Sequence, residues 1–263
     1  MTDARARLAL PSISARFVPV WRRNLLVWRK LAVPSILGNL ADPMIYMLGL
    51  GYGLGALLPQ VGGVSYVAFL AAGTLCASTM NAATFEALYS GFSRMQVQRT
   101  WDAILNAPID LDDVVLAELV WAATKSFMSG LAILVVIWLL GLSDSPLSLW
   151  VLAVIPLIGL CFGAIGLAIT ALASSYDFFM YYFTLVITPM VMLSGVFFPL
   201  EQLPVAFRIA AQLLPLAHAT ELVRPLLLGR IPAGILVHLS VLLVFTAAGF
   251  YAAVVLFRRR LLN

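Results

Sequence analysis

The chain has 263 residues, of which 62% are hydrophobic and only 11% charged, and its mean hydropathy is +1.01. Soluble domains are about half apolar and a quarter charged, so the composition excludes an ordinary soluble enzyme or binding module. The formal net charge is +4. We attribute this basic excess to membrane orientation and anionic headgroups, and we expect no nucleic-acid partner.

Long apolar runs dominate the chain. A bilayer core of about 30 Å needs roughly 20 apolar residues per helix, and six runs meet that length, at 33–58, 66–90, 114–141, 150–173, 178–198 and 233–257. None shows the short alternation typical of a transmembrane β-barrel. The sequence therefore predicts an all-α integral membrane protein with six transmembrane helices in a single domain, 1–263.

The segment 1–30 is too charged to span a membrane. Between residues 12 and 30 it places apolar and aromatic side chains at helical spacings, interleaved with arginines: Phe17, Val20, Trp21, Leu25 and Trp28. Tryptophans spaced in this way suit the depth of lipid headgroups. We expect an amphipathic helix in the cytoplasmic interface, and the alternative is a disordered basic tail. No cleavable signal peptide is evident.

Basic residues near the span ends predict the orientation. Seven precede the first span, and Arg258, Arg259 and Arg260 follow the last one. Only Arg208, Arg224 and Arg230 occupy the connector before the last span. Both termini are therefore expected in the cytoplasm.

Residues 91–113 form the one sizeable internal cytoplasmic connector. A helix over 93–106 would place Met95, Gln98, Trp101 and Leu105 on one face. One interpretation is a solvent-exposed loop without a binding role, and the alternative is a helix that docks into a partner protein. The candidate docking residues are Arg94, Gln98, Arg99, Trp101 and Asp102.

The segment 200–230 carries too many charges for a membrane helix. Glu201, Arg208, Glu221 and Arg224 would each cost free energy at the bilayer centre, about 2.5–3.5 kcal/mol for an Arg. Pro204 and Pro215 interrupt the segment as well. The pattern predicts short external helices before the last span.

Four ionisable residues fall inside or at the ends of predicted spans: Asp42, Glu86, Glu118 and Lys125. Such residues are candidates for function because a charge in the bilayer is costly. We favour a structural role for Asp42. Glu118 and Lys125 are seven residues apart and share a helix face, so they can pair with each other or with Glu86. Buried structural pairing and direct substrate contact remain open for both.

The motifs of common catalytic sites are missing. The chain has no G-x-x-x-x-G-K-[ST], H-E-x-x-H or G-x-S-x-G. His218 and Glu221 share an i, i+3 spacing, but two residues do not make a metal site. Cys76 and Cys161 fall in predicted spans and resemble packing residues. We therefore predict no catalytic, cofactor-binding or metal-binding residues.

Several segments together carry a family resemblance: NLADPMIYMLGLGYGLG (39–55), VSYVAFLAAG (64–73), QRTWDAIL (98–105), SSYDFF (174–179), TLVITPMVMLSGVFFPLEQLP (184–204) and LLPLAHATELVRPLLLG (213–229). They resemble the type 2 ABC exporter permeases of the nodulation protein J family. The similarity extends over nearly the whole chain, and the motifs are specific in combination.

The resemblance implies a permease of the bacterial inner membrane that exports a lipo-chitooligosaccharide or a related glycolipid. It also implies a homodimer with two copies of a P-loop ATPase, similar to nodulation ATPase I, which uses the ATP. Residues 93–106 would be the ATPase-coupling helix, 200–230 the external helices, and 14–30 the interface helix. The alternative function is an intramembrane lipid- or glycan-modifying transferase, although the spans show no convergent nucleophile, base and oxyanion groups.

Overall fold

The fold is a helical bundle, known from a computed structural model that describes residues 8–262. In chain order, the helices are α1 (Phe17–Arg29), α2 (Ala32–Leu57), α3 (Tyr66–Val97), α4 (Thr100–Leu105), α5 (Leu111–Leu139), α6 (Pro146–Leu172), α7 (Asp177–Leu193), α8 (Val205–Ala211), α9 (Pro215–Leu227) and α10 (Ile235–Leu261). A single turn of 3-10 helix, Leu200–Gln202, precedes α8. Two short strands, β1 (Gln60–Val61) and β2 (Val64–Ser65), form an antiparallel hairpin between α2 and α3.

Within residues 8–262, five helices are long and apolar enough to cross a membrane: α2, α3, α5, α6 and α10. This confirms the all-α membrane fold. The fifth predicted span, 178–198, corresponds to the shorter α7, whose 17 residues rise only about 25 Å. It ends at Leu193 because Gly195 takes a φ of 69°, a left-handed conformation that commonly follows a helix C-terminus. Residues 194–198 therefore form a turn, where the sequence predicted the end of a span.

The core lies around α6, which packs against α3, α5 and α10. Close packing there depends on small residues, since a Cβ built on Gly159 would lie 2.0 Å from the Ser126 Oγ of α5. Small residues let membrane helices approach closely, and packing replaces the hydrophobic effect as the force that holds them together.

Helix α1 packs along α5. The Trp21 Nε1 donates a hydrogen bond to the Thr124 Oγ1 at 3.1 Å, and the rings of Trp28 and Trp121 meet edge to face at 6.1 Å. The predicted amphipathic helix is thus present, and it is held against the bundle. Residues 1–7 of the predicted interface segment lie outside the described residues.

Short helices precede α10, as predicted. Helix α8 exposes Val205, Phe207 and Ile209, whereas most of α9 is buried. The guanidinium of Arg224 on α9 lies 3.8 Å from the centre of the Phe69 ring and donates a hydrogen bond to the Gly195 carbonyl. Burial lowers the pKa of this guanidinium. Helix α9 therefore packs against the bundle helices α3, α6 and α10, whereas α8 contacts the C-terminal part of α7 and exposes apolar side chains.

Candidate functional site

The connector between α3 and α5 is bent, and the predicted single helix over 93–106 is wrong. Helix α3 continues to Val97 and ends in a turn of π-helix, Ser93–Val97. The chain then reverses at Arg99, whose φ of 50° lies in the left-handed region, and α4 begins at Thr100. A non-glycine residue in that region is uncommon and costs conformational energy. Ordinary helical periodicity cannot predict such a bend.

The bend changes which side chains face outward. Trp101 is 1% exposed, its ring centroid lies 4.9 Å from that of Phe257, and Met95 is buried as well. The predicted docking face of Met95, Gln98, Trp101 and Leu105 is therefore wrong. The surface that the bend presents, which we call the elbow surface, is formed by exposed residues: Val97, Gln98, Arg99, Asp102 and Ala103.

Arg94 is also not a surface residue. Its side chain is 12% exposed and is directed into the bundle, where its Nε lies 2.9 Å from the Glu118 Oε1 and its Nη2 lies 2.9 Å from the Glu86 Oε1. Of the five predicted docking residues, Gln98, Arg99 and Asp102 are exposed. Arg94 and Trp101 are instead directed into the bundle, where both contact Glu118.

These side chains form what we call the charge cluster: Glu86, Arg94, Glu118 and Lys125. The Lys125 Nζ lies 2.7 Å from the Glu86 Oε2. Glu118 accepts further hydrogen bonds from the Trp101 Nε1 at 3.3 Å and the Asn24 Nδ2 at 3.4 Å. The Trp121 Nε1 donates to the Glu86 Oε1 at 2.7 Å.

The cluster balances two carboxylates against two cations. Glu118 and Lys125 do not pair with each other, and of the two partners considered for Lys125 the structure selects Glu86. Both carboxylate side chains are 2% exposed, so each depends on its cation partners for compensation of its charge. Next to the cluster, burial and then the Arg94 charge lower the pKa of the Arg23 guanidinium on α1.

A groove of about 440 Å³ opens between α2, α3, α5 and α7. Its polar lining comes from amide, hydroxyl and charged side chains: Asn39, Asp42, Ser78, Asn81, Lys125 and Thr188. Aromatic side chains complete it: Tyr46, Phe85, Phe183 and Phe197. The Asn81 Oδ1 is buried without a hydrogen-bond partner. The groove thus presents donors, acceptors and aromatic faces together, which suits a ligand with both polar and apolar parts.

Three of the four intramembrane candidates belong to one connected site. Lys125 lines the groove and pairs with Glu86, and Glu86 and Glu118 share Arg94. Asp42 lies apart from the cluster and is exposed on the groove wall. Sequence reasoning did not place Arg94 in this cluster because the predicted span ended at residue 90, whereas α3 continues to Val97, about two turns further.

Two polar contacts outside the groove were not predicted either. Asp112 and Asp113, at the start of α5, accept hydrogen bonds from Ser12 and Ser14, and Arg258 pairs with Asp112. The Nδ1 atoms of His218 and His238 lie 2.7 Å apart. The adjacent aspartates are a signal for the start of α5, since acids favour a helix N-terminus, but they do not indicate which distant residues they contact.

The arrangement presents charges that are compensated within it beside uncharged polar and aromatic side chains, which suits non-covalent binding. Its buried carboxylates are neutralised by the cations Arg94 and Lys125. No group of three or more His, Cys, Asp or Glu residues within 8–262 is placed to hold a metal ion.

Comparison with known proteins agrees with this picture. Residues 16–228 match the model of the ABC-2 type transporter family. The chain is 50% identical to nodulation protein J of Rhizobium leguminosarum bv. viciae, over 97% of this chain and 98% of that protein. It is 47% identical to nodulation protein J of Bradyrhizobium diazoefficiens over the full length of both. It is 26% identical to the inner membrane transport permease YadH of Escherichia coli, over 93% and 92% of the two chains.

The matched region includes the elbow surface, the charge cluster and every residue that lines the groove. The family is one of transporters, in agreement with a site built for binding. The chain belongs to the ABC-2 type transporter family, among the nodulation protein J permeases, and is a membrane transport permease.

Proposed function

We propose that this permease is the membrane half of an ATP-driven exporter that moves an amphiphilic glycolipid, such as a lipo-chitooligosaccharide, out of the cytoplasm. The observation that carries the proposal is the groove, which combines hydroxyl, amide and charged groups with four aromatic rings. The similarity to nodulation protein J supports a permease of the kind that the sequence resemblance implies.

The chemistry of the groove fits the two parts of such a cargo. Sugar hydroxyl and acetamido groups can exchange hydrogen bonds with Asn39, Asn81 and Thr188, and aromatic rings suit the apolar faces of sugar rings. Helices α2 and α7, which flank the groove, expose many apolar side chains. An acyl tail can therefore stay in lipid while the glycan follows the polar lining.

The ATPase partner would act at the elbow surface. Arg99 and Asp102 present opposite charges beside the exposed Val97, so a groove on the ATPase with complementary charge and an apolar floor would fit there. Buried Arg94 and Trp101 would support this surface from beneath. We propose two ATPase subunits for each homodimer of this chain.

The proposed location is the bacterial inner membrane, with both termini in the cytoplasm. The elbow surface and the arginines at the end of α10 then share the cytoplasmic side, in agreement with the positive-inside rule. Helices α8 and α9 would lie at the opposite face.

Reconstitution tests the proposal. The chain is co-purified with a P-loop ATPase encoded beside it, placed in vesicles, and supplied with ATP and an acylated chitotetraose. We expect ATP-dependent movement of the glycolipid, and hydrolysis that rises with the glycolipid concentration. Absence of both, together with chemical turnover of the glycolipid by this chain alone, would favour the transferase instead.

A further inference from the structure

The charge cluster connects the groove to helix α4 at the elbow surface, and the proposed function treats these as separate sites. At one end, Lys125 lines the groove, and its side chain is 21% exposed. At the other end, Trp101 belongs to α4, whose outer residues Asp102 and Ala103 form part of the elbow surface. The ion pair between Arg258 and Asp112, by contrast, has no member on the groove wall.

The connection is an unbroken series of polar contacts. It runs from the Lys125 Nζ to the Glu86 Oε2 at 2.7 Å, and from the Glu86 Oε1 to the Arg94 Nη2 at 2.9 Å. It continues from the Arg94 Nε to the Glu118 Oε1 at 2.9 Å, and from there to the Trp101 Nε1 at 3.3 Å. Every step is within hydrogen-bonding distance or ion-pair range.

The members of this series cannot move independently. Arg94 is shared by Glu86 and Glu118, and Glu86 is shared by Arg94 and Lys125. If one member shifts, a carboxylate inside the bundle loses its compensation, which is costly at low dielectric. A displacement of Trp101 with α4 therefore changes the charge compensation at Lys125. Conversely, a ligand that draws Lys125 into the groove changes the charge compensation at Arg94.

The backbone of α3 is irregular where these residues sit. Glu86 begins a turn of π-helix, Glu86–Ser90, and Arg94 lies in a second one, Ser93–Val97. Such turns are rare and occur often at functional sites. Their hydrogen bonds span five residues instead of four, so the register of α3 changes at the residues of the cluster.

We propose that the charge cluster couples occupancy of the groove to the position of α4, with Lys125 as the ligand-sensing end and Glu86 and Arg94 as positioning residues. The lysine ammonium has three N–H donors and Glu86 accepts from it, so a hydroxyl or amide oxygen of an acylated glycan can take another. Groove occupancy is signalled to the ATPase through Glu86, Arg94, Glu118 and Trp101. This inference rests on the proposed function for its cargo and partner.

The first test uses the full chain alone. Ala103 is exposed on α4, and the native Cys76 and Cys161 are buried, so Ala103→Cys gives a single reactive thiol beside the elbow. Coupling between sites commonly amounts to about 5–150-fold. We expect Lys125→Met to change the labelling rate of this thiol about fivefold or more, and Lys125→Arg to leave it near the rate of the parent.

Asp112→Asn is the matched control. It weakens another buried ion pair, with Arg258, that has no member on the groove wall. We expect it to leave the labelling rate unchanged. An unchanged rate in Lys125→Met, or an equal change in Asp112→Asn, would overturn the proposal, because the effect would then be absent or merely a general loss of stability.

The second test uses the complex with its ATPase. The ratio of hydrolysis with acylated chitotetraose to hydrolysis without it should fall about fivefold or more in Glu86→Gln and stay at the wild-type value in Asp112→Asn. A wild-type ratio in Glu86→Gln would contradict the coupling. A wild-type complex that ignores the glycolipid would contradict the proposed function instead, and the thiol test would still decide the coupling.

Discussion

Trp101 and Arg94 have taken inward-facing positions in a segment whose composition suggests a surface. Both are amphipathic side chains, so a buried position requires partners for their polar groups. Glu118 provides them, since it accepts from the Trp101 indole and from the Arg94 guanidinium. One carboxylate on α5 therefore determines which face of the connector is turned toward the bundle.

Replacement of Trp101 by alanine should destabilise the protein. Loss of a fully buried aromatic side chain typically costs about 3–5 kcal/mol because a cavity remains, and here the Phe257 ring would lose its neighbour. A fluorescence-based melting measurement in detergent should show a clearly lower transition for Trp101→Ala. Asp102→Ala, one residue along on the exposed face, should melt like the wild type. Equal melting of all three proteins would contradict the burial of Trp101.

Replacement of Arg94 should lower the stability of the protein more than replacement of Glu86 or Glu118, the carboxylates with which it pairs. In Arg94→Met, Glu86 keeps Lys125 but Glu118 has no cation in the cluster, and an unpaired buried charge costs about 3–5 kcal/mol. Glu118→Gln in the same chain should restore part of the melting temperature, because it removes the stranded charge. A double variant as unstable as the sum of the two single ones would show that Arg94 and Glu118 do not interact.

At the scale of elements, long apolar runs were predictable and irregular backbone was not. The runs of α5, α6 and α10 need only a length and a composition. The bend at Arg99 depends on a left-handed backbone conformation at a non-glycine residue, for which the sequence has no signal. The charge cluster was predictable in part, since Glu118 and Lys125 lie inside a predicted span, where a charge costs free energy. Arg94 lies beyond residue 90, where the preceding predicted span ended.

Topology can be tested with cysteines at the two faces. Gln202 and Gln212, around α8, are exposed, as is Asn106 after α4. The native cysteines are buried, so they should add little background labelling. We expect an impermeant thiol reagent on intact spheroplasts to label Gln202→Cys and Gln212→Cys, and to label Asn106→Cys only after the membrane is opened. The reverse pattern would place both termini outside.

At the scale of the whole molecule, the segment that precedes α1 meets the C-terminal part of α10. Ser12 donates its backbone N–H to the Asp112 Oδ2 at 2.7 Å, and Arg258 near the end of α10 pairs with the same carboxylate. The Arg258 Nη1 also donates to the Ala9 carbonyl at 2.7 Å. Because these contacts join residues that are between 100 and 249 positions apart, no local pattern predicts them.

The junction of these two segments should therefore control the stability of the N-terminal segment. Asp112→Asn weakens the ion pair with Arg258, whereas Asp113→Asn weakens only hydrogen bonds from Ser14. The Arg258–Asp112 contact joins two opposite charges, whereas Asp113 is contacted by neutral donors, so we expect the larger loss in Asp112→Asn. Limited trypsin digestion at Arg16 should be fastest in Asp112→Asn, intermediate in Asp113→Asn and slowest in the wild type. If Asp113→Asn is cleaved as fast as Asp112→Asn, the ion pair with Arg258 does not hold this segment, and the serine contacts do.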